Sequence, residues 1–62
     1  MKNYIVVDEM NVWLAYGAFK NAREALKQGR DNDKDRYKKE VFVYELASLN
    51  PVLTGTSGMV EL

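Results

Sequence analysis

The segments of this chain that favour β-strands are apolar at consecutive positions, so each strand would be apolar on both faces. The three segments are Tyr4-Ile5-Val6-Val7, Val12-Trp13-Leu14 and Val41-Phe42-Val43-Tyr44. A strand with one face in water alternates apolar and polar residues, whereas a strand buried on both faces does not. A chain of 62 residues with one short helix has little material for two covering layers. We therefore expect a second copy of the chain, or a target protein, to cover the second face.

Length and composition fit one small domain over residues 1–62, with a core over 3–49 and a C-terminal arm or hairpin over 50–62. Chains of this size bury only about 60% of the surface that the unfolded chain exposes. Such domains are marginally stable unless a disulfide, a metal or an oligomer helps them. The chain has no Cys and no His, which excludes disulfides, thiolate metal sites and an imidazole base. We therefore expect a homodimer or a larger homo-oligomer.

Nine basic and nine acidic residues cancel, whereas a nucleic-acid-binding protein usually carries a basic excess. Basic residues cluster over the predicted helix, but carboxylates are interleaved with the basic residues of the following loop and would repel phosphate. A nucleic-acid partner is therefore not expected. No segment approaches the roughly 20 apolar residues of a membrane span, and the N-terminus lacks a signal-peptide pattern. We expect a cytoplasmic protein without a membrane partner.

The first third of the chain predicts a β-hairpin. Residues Asn3 to Asp8 are rich in β-branched and aromatic side chains, which favours a strand. Asp8-Glu9-Met10-Asn11 is typical of a turn, because Asn and Asp tolerate its backbone angles. Val12 to Tyr16 then predicts a second, antiparallel strand. Gly17 would mark a bulge or the end of this strand.

A capping-box pattern predicts where the helix starts. The Asn21 side chain would accept a hydrogen bond from the backbone N–H of Glu24. The helix would cover Ala22 to Gln28 and end at Gly29, a residue that favours a left-handed stop. The alternative is one long helix over residues 11–30, which gives a β-α-β chain. The two predictions differ in whether the segment after the turn is a strand or part of the helix.

A charged, flexible loop over Arg30 to Asp35 should precede the third strand, which runs from Tyr37 to Leu46 or Leu49. Asn50-Pro51 ends this strand, because Pro cannot donate to a ladder. The fold class is therefore α+β, with a three-stranded, mostly antiparallel sheet in β-β-α-β order and one short helix on one face. The tail could add an extra C-terminal strand, or a small hairpin around Gly-Thr-Ser-Gly.

No pattern predicts catalysis, a cofactor or a metal site. Asp8 and Glu9 are adjacent, so they cannot converge on one point as an acid–base pair must. The acidic loop over 31–35 lacks the Gly and Glu that a calcium-binding loop needs at its sixth and twelfth positions. The Gly-rich segment 55–58 lacks the Lys and the following helix of a phosphate loop. No Ser has a His to activate it, so we do not expect an enzyme.

The candidate interface comes from the orientation of the third strand. If its aromatic residues Phe42 and Tyr44 and the following Leu46 face the helix, its valines face away and join an exposed apolar patch. Trp and Tyr are also enriched at interface hot spots. The candidate interface residues are Val6, Trp13, Tyr37, Val41, Val43 and Tyr44.

Two alternatives remain for this apolar face. The C-terminal segment could fold back over it through apolar residues, namely Val52, Leu53, Met59 and Val60. The aromatic residues could instead stack on single-stranded bases. Base stacking needs cations on the same face, and the strands offer only Lys38 and Lys39 for that purpose.

The layout resembles that of small proteins common in bacteriophage genomes. These proteins start with a hairpin, continue through a helix start of the form Phe-x-Asn/Ser-x-x-Glu-Ala and end in a Tyr-Glu-hydrophobic strand. The matching segments here are Phe19-Lys20-Asn21-Ala22-Arg23-Glu24-Ala25 and Val43-Tyr44-Glu45-Leu46. The resemblance covers residues 3–49, leaves out the tail after Pro51 and transfers no active-site residue.

The resemblance implies a non-enzymatic interaction protein. Some of the phage proteins bind and sterically inhibit a host protein or an anti-phage defence protein, so such a protein is the expected partner. The location would then be the host cytoplasm. An oligomeric structural subunit and a small nucleic-acid- or ligand-binding module are the alternatives.

Overall fold

The computed structural model describes residues 1–61, which form an antiparallel sheet of four strands with one helix packed on it. The elements are β1 (Lys2–Asp8), β2 (Trp13–Phe19), α1 (Ala22–Asn32), β3 (Lys39–Glu45) and β4 (Leu53–Ser57). The strands lie in the order β2-β1-β3-β4 across the sheet. The predicted small α+β fold is confirmed, and the sheet has four strands because the possible extra C-terminal strand is present.

The side chain of Asp8 holds the turn between β1 and β2. Its Oδ1 atom accepts hydrogen bonds from the backbone N–H groups of Met10, at 2.8 Å, and Val12, at 2.9 Å. Asn11 adopts the left-handed conformation with φ 62°, which Asn tolerates better than most residues. The predicted turn is therefore confirmed, and the single long helix over 11–30 is wrong.

Strand β2 runs through Gly17 to Phe19, so the prediction of a bulge or strand end at Gly17 is wrong. The irregularity lies earlier, where Val6 pairs with Ala15 and Val7 pairs with Trp13. Leu14 is the extra residue between these two pairs. Because of this insertion, Trp13 and Tyr16 lie on the same face of the sheet although they are three residues apart.

The helix begins as predicted and ends later than predicted. Asn21 accepts from the backbone N–H of Glu24 at 3.0 Å, and the helix then continues to Asn32. Gly29 lies inside the helix and is buried. A Cβ atom at this position would lie 2.7 Å from Cγ1 of Val6, so the helix and the sheet are in close contact there. The glycine permits close packing of helix on sheet, so its predicted role as a stop signal is wrong.

The C-terminal segment adds β4 beside β3 at the edge of the sheet. Strand β4 runs straight through Gly-Thr-Ser, so the alternative of a small hairpin there is wrong. Leu53 packs against the core under the helix, whereas Val52, Met59 and Val60 are exposed. The tail therefore does not fold back over the second face. The predicted arm over 50–62 includes Leu62, which lies outside the described residues.

The core between helix and sheet is built mainly from small side chains. Its buried members are Tyr4, Val6, Ala15, Ala25, Leu26, Val41 and Val43, and Phe19 packs against them. The largest side chains that are fully buried are valines. The helix can approach the sheet closely because Ala25 and Gly29 face it.

Candidate functional site

The face of the sheet opposite the helix carries two rows of large apolar side chains. Strand register gives the first row as Trp13, Val7 and Phe42, and the second as Tyr16, Ile5 and Tyr44. Thr54 continues the first row onto β4, because it pairs with Phe42. We call this set of seven residues the open face, since no element of residues 1–61 forms a layer over it.

Two aromatic side chains are the most exposed apolar residues of the open face. Trp13 is 61% exposed and Tyr16 is 64% exposed. Their rings stack on each other with centroids 5.6 Å apart and planes 20° apart. This pair forms a ridge along β2 at one side of the face. On the other side, β4 presents only the small side chains of Thr54 and Thr56.

The open face holds only two of the predicted interface residues, Trp13 and Tyr44. Three others, Val6, Val41 and Val43, are 0% exposed and lie under the helix, which contradicts their predicted orientation. They lie where the helix packs closely through Ala25 and Gly29, a position that suits compact branched side chains.

Tyr37 lies outside the strands, in the loop before β3. Its backbone forms an isolated bridge with Val60, and the guanidinium of Arg36 lies 5.3 Å from its ring centroid. The third strand starts at Lys39 rather than at Tyr37. The structure therefore does not place Tyr37 with Trp13 and Tyr44.

Sequence reasoning missed five residues of the open face: Ile5, Val7, Tyr16, Phe42 and Thr54. A signal for Phe42 is present in β3, where valines on one side alternate with rings on the other. In β1 this pattern fails, because the ring of Tyr4 faces the helix and Val7 lies on the open face. Neither apolarity nor ring size therefore separates the faces in every strand.

Charge on the open face is low. At the strand positions on this side of the sheet, all of which lie in the described chain, Glu40 carries the one charge. The basic residues of the helix, Arg23, Lys27 and Arg30, are exposed on the element that covers the other face, and Arg30 reaches the Thr56 carbonyl at the sheet edge. The aromatic residues and the basic cluster are therefore on opposite sides.

The two edges of the sheet are protected against pairing with another strand. Strand β2 is bulged at Leu14, and the carbonyl of this residue accepts from Asn32 Nδ2 at 2.8 Å. Strand β4 has only five residues, and the Thr56 carbonyl accepts from Arg30 Nε at 2.7 Å. Short strands, bulges and covered carbonyls all hinder edge-to-edge association. The open face has no comparable protection.

A buried polar cluster closes one end of the layer between helix and sheet. Asp33, at the C-cap of the helix, accepts from Lys39 Nζ at 3.0 and 2.9 Å, from the Asp35 N–H at 3.0 Å and from Ser57 Oγ at 2.7 Å. The side chains of Asp33 and Lys39 are only 5% and 9% exposed. The predicted flexible loop over 30–35 is therefore partly helix and partly fixed by this cluster.

The hydrogen bonds decide the protonation of this cluster. Burial alone would raise the pKa of Asp33, but hydrogen bonds from Lys39, Ser57 and Asp35 outweigh burial and hold the pKa below its usual range. Burial alone would lower the pKa of Lys39, but hydrogen bonds to Asp33 and Asp35 outweigh it and raise that pKa. Both groups are charged and paired at neutral pH, so the cluster joins helix, loop, β3 and β4.

Residues 1–61 contain neither a group of metal-binding side chains nor a membrane-spanning helix. No group of three or more acidic, His or Cys side chains in that range could hold a metal ion. The one helix in the described part of the chain is neither long nor apolar enough to span a bilayer.

No family model, no curated protein and no solved structure matches this chain. The open face is therefore the feature of the molecule on which a function can be argued.

Proposed function

We propose that this chain is a non-enzymatic interaction protein that binds another protein through the open face. The observation that supports the proposal is the placement of exposed Trp13 and Tyr16 beside four further apolar side chains with no covering layer. Contiguous exposed apolar surface of this kind marks association sites. Trp and Tyr are also the residues that contribute most to binding energy at interfaces.

The chemistry of the face favours a protein over a nucleic acid as the partner. Base-stacking surfaces combine aromatic rings with cations on the same side, which neutralise phosphate. Here Glu40 is the charge on the aromatic side, and Arg23 and Lys27 of the helix lie on the other. Face packing is also favoured over strand addition, because both edge strands are protected.

The resemblance to small phage proteins extends this proposal to a target and a mechanism. The target would be a host protein or an anti-phage defence protein in the host cytoplasm. The protein would act sterically, by covering part of the target's surface with its apolar face. Such a mechanism requires no catalytic group and no cofactor.

An affinity capture with matched variants tests the proposal. The tagged chain, a Trp13→Thr/Tyr16→Thr variant and a Met59→Thr variant would each be incubated with lysate of the source cell, and the captured proteins quantified by mass spectrometry. Met59 is 94% exposed and lies outside the sheet, so its substitution removes apolar surface elsewhere.

We expect one or a few proteins to be captured by the wild-type chain and by the Met59 variant, and to be lost from the face variant. Each candidate would then be purified and its affinity for the three chains measured by calorimetry. A partner that binds the face variant as tightly as the wild type would contradict the proposal.

A further inference from the structure

We infer that, in the absence of another partner, a second copy of this chain occupies the open face, with the two sheets packed face to face about a twofold axis parallel to the strands. The inference rests on the proposed function, because it names a partner for the same surface. It differs in requiring that the surface be complementary to itself, as a twofold interface demands.

The distribution of side-chain size supports a second core. The layer under the helix takes only Tyr4 and Phe19 of the chain's seven aromatic residues, and its other members are aliphatic. The open face carries the chain's single Trp, together with Tyr16, Phe42 and Tyr44. A domain of this size is marginal with one small core. Packing two open faces together would bury the aromatic residues of both copies in a second core.

The shape of the face is complementary to itself about this axis. A twofold rotation about an axis along the strands places β2 of one copy over β4 of the other. Trp13 would then lie on the low surface at Thr54 of the second copy, and Tyr16, one row along, on the segment that precedes β4. An axis across the strands would instead place ridge on ridge and hold the centres of the sheets apart.

Charge also permits the contact. The chain has no net charge, and the two apolar rows contain no ionisable group other than the tyrosine hydroxyls. The Trp13 indole N–H would face the Thr54 hydroxyl, which accepts hydrogen bonds. No charged group would be desolvated at the centre of the interface.

The area available indicates a weak dimer. Four strands about 4.8 Å apart, each rising about 3.3 Å per residue, give a face of roughly 20 by 20 Å. Two such faces would bury on the order of 1,000 Å² in total, the lower limit for a specific interface. We therefore expect association that depends on concentration in the micromolar range.

Sedimentation equilibrium from low micromolar to near-millimolar protein tests the inference. Thr54→Lys places a charge opposite Trp13 in the proposed contact and should weaken association about tenfold or more. Met59→Lys makes the same charge change at a residue that is 94% exposed and outside the sheet, and it should not alter association. Thr54→Val should retain it. Circular dichroism would show that each variant is folded.

Chemical cross-linking tests the orientation, because the chain has no Cys of its own. Packed sheets lie about 10 Å apart, so a short bismaleimide is suitable and a direct disulfide is not. A mixture of the Trp13→Cys and Thr54→Cys variants should give a mixed dimer in higher yield than either variant alone. Preferential cross-linking of Trp13→Cys with itself would overturn the parallel axis.

Three results would overturn the inference: a monomer throughout the concentration range, association unaffected by Thr54→Lys, or equal weakening by Met59→Lys. A monomer whose captured partner is lost on Trp13→Thr/Tyr16→Thr substitution would leave the proposed function standing without self-association. A dimer that forms through the open face while no partner is captured would support self-association and leave the proposed function without support.

Discussion

The two faces of the sheet differ in the size of their side chains and in what covers them. Under the helix the fully buried strand residues are valines, beside the buried ring of Tyr4, and Gly29 is packed so closely that it has no room for a Cβ atom. On the other side lie four aromatic residues with Ile5 and Val7, and Trp13 and Tyr16 are mostly exposed.

This difference indicates two kinds of packing partner. A helix that approaches closely through Ala25 and Gly29 selects branched, compact residues on the strands below it. A second sheet packs at about 10 Å and accommodates rings. The size of the side chains therefore tells which layer each face is built to meet, although both faces are apolar.

The largest effect should come from the covered face. Val43→Ala removes two methyl groups from a fully buried position and should lower the free energy of unfolding by about 2–3 kcal/mol. Val52→Ala is the matched control, because Val52 is exposed, and it should change stability by less than about 0.5 kcal/mol. Urea unfolding at low protein concentration would measure both. Equal effects would contradict the assignment of the faces.

The polar cluster that closes the covered layer should give a smaller, pH-dependent effect. Asp33→Asn keeps an oxygen that accepts some of the four hydrogen bonds, so the loss should be below that of Val43→Ala. The depressed pKa of Asp33 means that its stabilisation is present above the unfolded pKa of about 3.9 and is lost as pH falls through the folded value. Wild type and variant should begin to converge in stability below about pH 4, and convergence should be complete only below the folded pKa of Asp33.

Lys39 should determine the alkaline part of the dependence of stability on pH. Its raised pKa means that its contribution is complete below the unfolded value of about 10.4 and is lost as pH rises through the folded value. Asp31→Asn, the same change on an exposed helical carboxylate, should follow the wild-type profile throughout. A constant difference between wild type and Asp33→Asn across the acid range would contradict the assigned ion pair.

Gly29→Ala should have a smaller effect on stability, and it should destabilise the protein although alanine normally favours a helix over glycine. Alanine favours a helix over glycine by about 1 kcal/mol, but overpacking of a core costs about 1–3 kcal/mol. Because the new Cβ atom would lie 2.7 Å from Cγ1 of the buried Val6, we expect a net loss of about 1 kcal/mol. Thermal unfolding beside Lys27→Ala, an exposed helical control, would measure it. A stabilised Gly29→Ala variant would show that helix and sheet are not in close contact there.

The smallest effect on the monomer should come from the open face. Trp13→Thr/Tyr16→Thr removes an exposed stacked pair, which is worth about 0.5–1.5 kcal/mol, while threonine favours strands and restores part of that loss. The dilute variant should therefore unfold within about 1 kcal/mol of the wild type. A loss as large as that of Val43→Ala would mean that this face belongs to the folding core rather than to an interface.

Local signals in the sequence predicted much of the fold. The Asn21 cap, the turn at Asp8 and the antiparallel hairpin each depend on one residue and its near neighbours, so spacing was sufficient. Gly29 was misassigned because a glycine that ends a helix and a glycine that allows close packing look the same in one sequence. The buried pair of Asp33 and Lys39 needed the three-dimensional fold that brings Ser57 beside it.

The sequence predicted an apolar interface, but of the residues that form the open face it identified only Trp13 and Tyr44. Consecutive apolar residues in β3 indicated two buried faces, yet they could not tell which face the helix covers, so Val41 and Val43 were assigned to the wrong side. The position of Tyr16 depends on the extra residue Leu14, which shifts the parity of β2. Such a bulge leaves no pattern in a strand whose residues are all apolar.

Fluorescence of Trp13 tests the central claim most directly, because it is the chain's single Trp and lies on the open face. A concentration series would record its emission maximum and its quenching by acrylamide, with the Thr54→Lys variant as control. The structure predicts solvent-exposed emission in dilute protein, and a shift to shorter wavelength with reduced quenching as concentration rises, absent from the variant. Emission that stays that of an exposed indole at every concentration would contradict burial of the open face by a second copy.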